Sequence, residues 1–271
     1  MKDLLIRCLS GLLYISLIVS TLFIDKTLTL LIFGTLGALC LREFLNLLGN
    51  LSQPLHYLPL YLLLFFGLIS LYNQENSIFA PTLLIASCLF NLFIAYQLFM
   101  HKEMIYSTLN IISLSVLYLI GGIIFMASIA FSNLEVSYKP ELLLAIFLLI
   151  WTNDSFAYLV GVTLGKRKLF PSVSPKKSVE GFIGGLLGTL IVAFIIGQYF
   201  YTEMSISHWI IIGIVASVFG TIGDLIQSKL KRKAGVKDSG KIMPGHGGIY
   251  DRLDSIIYAS PFIFAYLFFV I

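Results

Sequence analysis

The segment from Ser228 to Asp254 contains the residue types that a metal-assisted phosphoryl or nucleotidyl transfer site needs. Its 27 residues include seven Lys or Arg, three Asp and one His, in a chain in which only 12% of the residues are charged. Carboxylates bind Mg²⁺, basic side chains neutralise phosphate oxygens, and glycines allow backbone N–H groups to approach an anion. Because most of the chain is apolar, this segment predicts a lipid phosphate as the substrate.

Carboxylates near the two ends of this segment are the candidate metal ligands. Asp224 ends an apolar run, and Ser228 follows at i+4 on the same helical face. Asp251 and Asp254 are spaced i, i+3 at the start of the last apolar run, where a carboxylate can also cap a helix. We predict that Asp224 and Asp251 bind the metal, and that Asp254 caps the helix or holds Arg252.

Basic residues and glycines around these carboxylates form the predicted phosphate-binding set. The loop Pro244–Gly248 is tight, and its glycines free backbone N–H groups to point at an anion. A second basic segment, Ser174–Gly181, is interpreted as a phosphate clamp, although its paired lysines also fit an ordinary cytoplasmic loop. The predicted catalytic residues are Asp224, Asp251, Lys229, Arg232 and His246. The predicted substrate-binding residues are Lys176, Lys177, Ser228, Lys237, Asp238, Gly247, Gly248, Arg252, Asn153 and Asp154.

Two further patterns concern the helices that must position these groups. Asn153 and Asp154 lie within an apolar run, where polar side chains are costly and face a cavity or a partner. They either line a nucleotide pocket or form hydrogen bonds between helices. Gly181, Gly185 and Gly188 share one face of the next run, and this spacing predicts close helix packing.

Nine apolar runs are long enough to cross a bilayer, which needs about 20 residues for a hydrocarbon core of about 30 Å. Hydrophobic residues make up 58% of the chain, and its mean hydropathy is +0.93. The predicted fold is therefore an all-α integral membrane protein, a polytopic bundle of about nine transmembrane helices, near 4–24, 27–48, 55–72, 78–100, 106–131, 141–162, 180–200, 208–226 and 253–271.

The two halves of the chain differ in their polar content. Residues 1–135 are predicted to be structural, with Arg42 and Glu43 interpreted as a neutralised pair at a helix end. Residues 136–271 are predicted to carry two basic loops, 163–180 and 227–252, which hold the catalytic groups. Because no internal repeat and no low-complexity segment is apparent, we expect one integrated membrane domain.

The distribution of basic residues predicts the orientation. With nine spans, 16 of the 18 Lys and Arg residues fall on the side of the N-terminus, and only Lys26 and Lys139 fall on the other. The positive-inside rule then places the N-terminus and both basic loops in the cytoplasm and the C-terminus in the periplasm. The net charge of +4 is interpreted as a basic face beside anionic headgroups, so no nucleic-acid partner is expected.

The Ser228–Asp254 segment resembles the signature of the phosphatidate cytidylyltransferase, or CDP-diacylglycerol synthase, family. One position departs from that signature, because Met243 stands where the family usually has Leu, Ile or Phe, a swap that conserves volume. The resemblance extends to Ser174–Gly181, Asn153–Tyr158 and Gly223–Asp224, and it covers the C-terminal half of the chain. The matching residues are Ser228, Leu230, Lys231, Arg232, Lys237, Asp238, Gly240, Pro244, His246, Gly247, Gly248, Asp251, Arg252, Leu253 and Asp254.

The resemblance implies a reaction in which CTP and phosphatidate form CDP-diacylglycerol and pyrophosphate. It also implies Mg²⁺ at Asp224 and Asp251, with a second cation such as K⁺ left open, and a homodimer. The short chain fits an enzyme of the bacterial inner membrane. A phosphate monoester has a second pKa near 6, so phosphatidate is largely dianionic and needs no strong general base.

Two alternatives follow from the same residues. A CTP-dependent polyprenol or lipid kinase, or a cytidylyltransferase acting on another lipid phosphate, would use similar metal and phosphate chemistry. An ion-coupled transporter would also carry intramembrane acids, but it would place them near mid-membrane and show an internal repeat. Here the acidic residues cluster on one predicted side, and no repeat is apparent in the sequence.

Overall fold

The computed structural model describes residues 2–49, 57–73, 79–101, 107–131 and 138–271, and these residues form nine helical stretches and one β-hairpin. The π-helical segments Leu114–Ile120 and Ile196–Phe200 interrupt the fifth helix and end the seventh. The predicted all-α fold is confirmed. The helices are α1 Lys2–Ile24, α2 Lys26–Leu47, α3 Leu58–Asn73, α4 Phe79–Phe99, α5 Thr108–Ala130, α6 Pro140–Leu164, α7 Val179–Phe200, α8 Ile206–Lys233 and α9 Tyr250–Val270.

Seven of these helices, α2 and α4 to α9, are long and apolar enough to cross a membrane, counted over the described residues. In α1 and α3 the residues whose side chains the structure describes form shorter apolar stretches, Leu9–Ile24 and Leu58–Leu71. At 1.5 Å per residue the 16 residues of α3 extend about 24 Å, less than a typical hydrocarbon core. The prediction of nine spans is therefore confirmed for seven helices, and it stays a prediction for α1 and α3.

Helices α6 to α9 form the most closely packed part of the bundle, and α9 joins them to α5, α4 and α2. The contact between α6 and α7 depends on glycine. A Cβ atom at Gly181 or Gly185 would overlap the α6 backbone, and one at Gly188 would overlap the ring of Phe156. The predicted close-packing face is confirmed.

The two segments that were predicted to be loops contain more helix and strand than the sequence predicted. Helix α8 continues to Lys233, seven residues beyond the predicted span, because basic residues in its last turn favour the negative end of the helix dipole. The predicted loop 227–252 is thereby reduced to residues 234–249, which we call the connector. The predicted loop 163–180 contains a hairpin of two antiparallel strands, β1 Lys168–Phe170 and β2 Ser174–Ser178.

The hairpin and the connector lie at one common end of the bundle. The Ser10 hydroxyl of α1 donates to the Pro244 carbonyl of the connector, and Lys229 of α8 donates to the carbonyl of Gln97 in α4. At the opposite end Lys139 pairs with Glu203. The two predicted sides of the molecule are therefore distinct in the fold. Lys102, one of the basic residues assigned to the N-terminal side, lies outside the described residues.

Candidate active site

An ion pair between the hairpin and α8 forms the centre of the candidate site. The Lys177 ammonium lies 2.5 Å from Asp224 Oδ2, and the Ser228 hydroxyl donates to Asp224 Oδ1 at 3.2 Å. The predicted i, i+4 relation of Asp224 and Ser228 is therefore confirmed. The side chains of Lys177 and Asp224 are only 26% and 30% exposed, so water screens the ion pair incompletely.

Two more carboxylates lie near enough to the same ammonium group to act on its charge. Burial of Lys177 lowers its pKa, but Asp224, Asp154 and Asp254 together raise it by more, so its pKa lies above the usual lysine value. We call Asp154, Asp224 and Asp254 the acidic cluster. The three residues come from α6, α8 and α9, so three helices must pack correctly to form the cluster. Among the described residues, no three His, Cys, Asp or Glu side chains converge closely enough to hold a metal ion by themselves.

Asp251, the second predicted metal ligand, is engaged in the protein's own hydrogen bonds. Its Oδ1 accepts from Lys231 Nζ at 2.8 Å and from Gln227 Nε2 at 3.0 Å. Its Oδ2 accepts from the backbone N–H groups of Ser239 and Gly248, at 2.8 and 2.9 Å. The side chain is 4% exposed. Asp251 therefore joins α8, the connector and the start of α9, whereas Asp254, predicted to be the cap, belongs to the acidic cluster.

The glycine loop is closed on itself rather than open to an anion. The N–H groups of His246 and Gly247 both donate to the Met243 carbonyl, and that of Gly248 donates to Asp251. Gly247 has a positive φ of 86°, and a Cβ atom there would lie 2.7 Å from Asp251 Oδ2. In this conformation the N–H groups of Gly247 and Gly248 donate to acceptors within the protein. Their predicted role in substrate binding stays a prediction.

The connector borders a cavity of about 500 Å³. Three predicted phosphate contacts, Lys237, His246 and Arg252, line it together with Asp238 and Lys241. The Arg252 guanidinium donates twice to the His246 carbonyl, which fixes both residues on the cavity wall. This cavity therefore presents cationic groups at the end of the bundle that carries the acidic cluster.

Other predicted phosphate contacts point elsewhere. Lys229 reaches the end of α4, and Arg232 is exposed and donates to the Val236 carbonyl just beyond its own helix. The two lysines of the predicted clamp separate, because alternate residues of a strand face opposite ways: Lys177 enters the acidic cluster and Lys176 is exposed. The Ser178 hydroxyl accepts from the Gly181 N–H, so Ser178 is the helix cap of α7.

Asn153 forms hydrogen bonds between helices. The Ser217 hydroxyl of α8 donates to Asn153 Oδ1 at 2.6 Å, and Asn153 Nδ2 lies 3.4 Å from both Thr221 Oγ1 and Asp154 Oδ1. Asn153 is buried, whereas Asp154 is exposed beside it. Of the two predicted roles, the structure therefore supports an interhelical one for Asn153 and a site-lining one for Asp154.

The surroundings of Glu43 differ from those predicted for the N-terminal half, where Arg42 and Glu43 were expected to pair. Arg42 is exposed, and among the described residues no basic side chain forms an ion pair with Glu43. The buried carboxylate instead accepts from Ser239 in the connector and from the N–H groups of Ile249 and Tyr250. The prediction that Arg42 and Glu43 form a neutralised pair is wrong, because their side chains point in different directions from α2.

Sequence reasoning assigned no site role to four residues that organise this region. Lys231 and Gln227 follow Asp224 at i+7 and i+3, so their shared helical face was visible in the sequence once α8 was extended. Ser239 and Glu43 had no such signal, because they lie 196 residues apart in the chain. The assembled site combines carboxylates, partly buried ammonium groups and a basic cavity, which is an arrangement suited to phosphate chemistry.

Comparison with known proteins gives similar sequences along the whole chain. Residues 5–270 match the sequence model described as the cytidylyltransferase family. A Bacillus subtilis (strain 168) protein named phosphatidate cytidylyltransferase is 34% identical over 266 residues, which cover 97% of each chain. Proteins of the same name from Staphylococcus aureus (strain COL) and Staphylococcus saprophyticus are 47% and 48% identical over 119 residues, 43% of this chain and 45% of theirs.

Proposed function

The chain belongs to the cytidylyltransferase family, and we propose that it transfers the cytidylyl group of CTP to phosphatidate, forming CDP-diacylglycerol and pyrophosphate. The relative that covers 97% of the chain carries the name of this activity. The observation in the structure that supports it most directly is the Lys177–Asp224 ion pair, which lies at the same end of the bundle as the basic cavity. The apolar helices supply the lipid-facing body that a phosphatidate-using enzyme needs.

The reaction is a displacement at phosphorus. A phosphate oxygen of phosphatidate attacks the α-phosphorus of CTP, a new P–O bond forms, and the bond between the α-phosphorus and the bridging oxygen to the β-phosphate breaks. Pyrophosphate leaves with the electron pair of that bond. Because the phosphatidate phosphate is largely dianionic above pH 6, no side chain has to remove a proton. Catalysis then consists mainly of positioning and of stabilising charge on the pyrophosphate.

The chain's own residues supply these two functions. We assign Lys177 to neutralise phosphate charge beside the acidic cluster, since its raised pKa keeps it protonated. Lys237, His246 and Arg252 on the cavity wall bind the triphosphate oxygens. Lys176 contributes long-range attraction from its exposed position. Ser228 and Asp238 keep their predicted places in the substrate-binding set as part of this proposal, and the predicted catalytic roles of Lys229 and Arg232 stay predictions.

Mg²⁺ is the metal that this chemistry calls for, and the acidic cluster fits it. Mg²⁺ binds one or two protein carboxylates together with water and substrate phosphates, so a site without a closed protein cage is suitable. Asp224 and Asp254 would hold it, because the oxygens of Asp251 already accept four hydrogen bonds. When bound, the ion would neutralise phosphate charge during transfer. A second cation such as K⁺ stays a prediction.

Substitution of the carboxylates distinguishes the two candidate metal pairs. We expect Asp224→Asn and Asp254→Asn to raise the Mg²⁺ concentration that gives half-maximal turnover. Asp251→Asn should lower activity and thermal stability without changing that concentration, because it breaks connector contacts. If Asp251→Asn shifts the Mg²⁺ dependence and Asp254→Asn does not, the sequence-based pair of Asp224 and Asp251 is correct and our assignment of Asp254 is wrong.

The decisive experiment is an assay of the purified protein with phosphatidate and CTP labelled at the α-phosphate. We expect the label in the lipid fraction and pyrophosphate in solution. A CTP-dependent lipid kinase would instead release labelled CDP, and a cytidylyltransferase of another lipid phosphate would prefer that lipid over phosphatidate. An ion-coupled transporter would label no lipid. Each of these results would contradict the proposal in a different way.

We also propose the cellular arrangement that the charge pattern predicts. The end of the bundle with the hairpin and connector would face the cytoplasm of a bacterial membrane, where CTP is available, and the C-terminus would face the periplasm. The homodimer implied by the family resemblance stays a prediction. Measurement of the molar mass of the detergent-solubilised protein by light scattering would test it, and a monomeric mass would exclude it.

A further inference from the structure

A carboxylate from the N-terminal half of the chain holds the connector in place. Glu43, in the last turns of α2, is 3% exposed. Its Oε1 accepts from the Ile249 N–H at 3.1 Å, and its Oε2 accepts from the Tyr250 N–H at 3.0 Å and from the Ser239 hydroxyl at 2.9 Å. A buried carboxylate is costly unless such donors compensate it, so this network needs an explanation.

The backbone around Glu43 is shaped to receive this side chain. A Cβ atom at Gly240 or at Gly248 would overlap a carboxylate oxygen of Glu43. The connector therefore encloses the carboxylate from two sides, and at both positions only glycine leaves room. Two glycines of the sequence signature are thereby explained by a residue about 200 positions away in the chain.

The same carboxylate completes the start of α9. Ile249, at the N-cap position of that helix, provides no side-chain cap. The N–H groups of Ile249 and Tyr250 instead donate to Glu43, and the N–H group of Gly248, just before the helix, donates to Asp251. Negative groups are favourable at a helix N-terminus, so both carboxylates stabilise this end. Asp254 lies one turn further along α9, and its position follows from the same anchoring.

We propose that Glu43 is a positioning residue for the transfer reaction, which fixes the connector against the start of α9 and thereby sets the geometry of the acidic cluster and of the basic cavity. This inference rests on the proposed function. It assigns to α2 a role in activity, whereas the sequence predicted only a structural role for the first 135 residues.

Glu43→Gln tests the proposal because it keeps the shape of the side chain. The amide can accept with one atom only, and its NH₂ group must face an N–H or O–H donor. We expect kcat/KM for CTP to fall about tenfold or more, since a buried donor loses a charged acceptor. We also expect faster hydrogen–deuterium exchange in connector peptides, measured by mass spectrometry on the full-length protein in detergent.

Thr29→Val is the matched control on the same helix. Thr29 is buried, and its hydroxyl bonds to the Thr21 carbonyl and to the Tyr138 hydroxyl about 21 Å along α2 from Glu43. Its loss should lower the melting temperature without changing kcat/KM or connector exchange. If Glu43→Gln lowers the melting temperature as much as Thr29→Val does and leaves kcat/KM within twofold of wild type, Glu43 is only structural and the proposal is wrong.

Ser239→Ala provides a second variant if Glu43→Gln does not fold. It removes one of the three donors and leaves both backbone bonds to Glu43, so we expect a smaller loss of kcat/KM, about threefold, with the fold retained. Unchanged kinetics and unchanged connector exchange in Ser239→Ala would contradict the proposal. Failure of the wild-type protein to form CDP-lipid would contradict the proposed function instead, and the exchange measurement would still report whether Glu43 holds the connector.

Discussion

Replacement of Lys177 is the perturbation whose effect the structure specifies most closely. Lys177→Met keeps the length of the side chain and removes its charge, which leaves Asp224, Asp154 and Asp254 without the ammonium that they share. Two unit charges 4 Å apart attract by about 4 kcal/mol at an effective dielectric constant of about 20. The partners are about a quarter exposed, so we discount this attraction to about 2 kcal/mol, between the values typical of surface and buried pairs.

The same charge is needed for substrate phosphates, and so the loss should appear in turnover as well as in stability. A loss of about 2 kcal/mol in the transition state corresponds to a rate about thirtyfold lower. The assay is incorporation of labelled CMP into lipid by detergent-solubilised protein, at a temperature well below the melting temperature of the variant. Lys176→Met is the matched control, because Lys176 is the adjacent residue but is exposed. We expect it to lower kcat/KM no more than about threefold.

Equal losses in the two variants would refute this reasoning, because they would mean that the lysines act together as the clamp that the sequence predicted. Near-normal activity of Lys177→Met would refute it as well. The pH dependence provides an independent check. Since the folded-state pKa of Lys177 is raised, its contribution to stability is complete below the ordinary lysine pKa of about 10.4 and is lost only as the pH rises through the raised value. Lys177 should therefore cause no loss of stability up to about pH 9.

Three further predictions concern other parts of the molecule. Gly248→Ala places a methyl group against the Glu43 carboxylate, so it should destabilise the protein by about 1–3 kcal/mol and lower activity, as a thermal unfolding curve and the lipid assay would reveal; an unchanged melting temperature would contradict the packing. Glu203→Gln breaks the exposed pair with Lys139 at the opposite end of the bundle and should cost less than about 1 kcal/mol without affecting turnover; a large loss of activity would mean that this end takes part in the reaction. A reporter that is active only in the periplasm should be active when it is fused after Ile271. Activity of a reporter that works only in the cytoplasm would refute the nine-span orientation.

Local features of the fold were predictable because they depend on residues close together in the chain. Runs of about 20 apolar residues predicted the helices, because only helices and closed barrels satisfy their backbone groups in a bilayer and runs of this length fit helices. The Ser178 cap and the Asp224–Ser228 contact were predictable for the same reason, since both join residues within one helical turn. The glycine face of α7 was recognisable from its spacing alone, although the partner that it packs against was not.

The amino-acid sequence also contained enough information to indicate the chemistry. The Ser228–Asp254 segment combined carboxylates, cations and glycines in one polar stretch, and its resemblance to the phosphatidate cytidylyltransferase signature agrees with the similarity along the whole chain. The residue types of such a segment indicate a class of chemistry, because carboxylates bind metal ions, and basic groups and glycine N–H groups bind phosphate oxygens. Which residue carries out each part of the chemistry depends on where its side chain points. The roles of individual residues were therefore harder to predict.

Those roles required contacts between distant parts of the chain. Lys177 meets Asp224 across 47 residues, and Glu43 meets Ser239 across 196, so no local spacing could have predicted either pair. Packing of α6, α8 and α9 brings Asp254 into the acidic cluster, while the connector turns Asp251 towards Lys231 and backbone N–H groups. Two carboxylates only three residues apart thus acquire different environments, because Asp251 lies at the start of α9 beside the connector and Asp254 lies nearly one turn further along the helix. The charges of their neighbours determine what each carboxylate can bind.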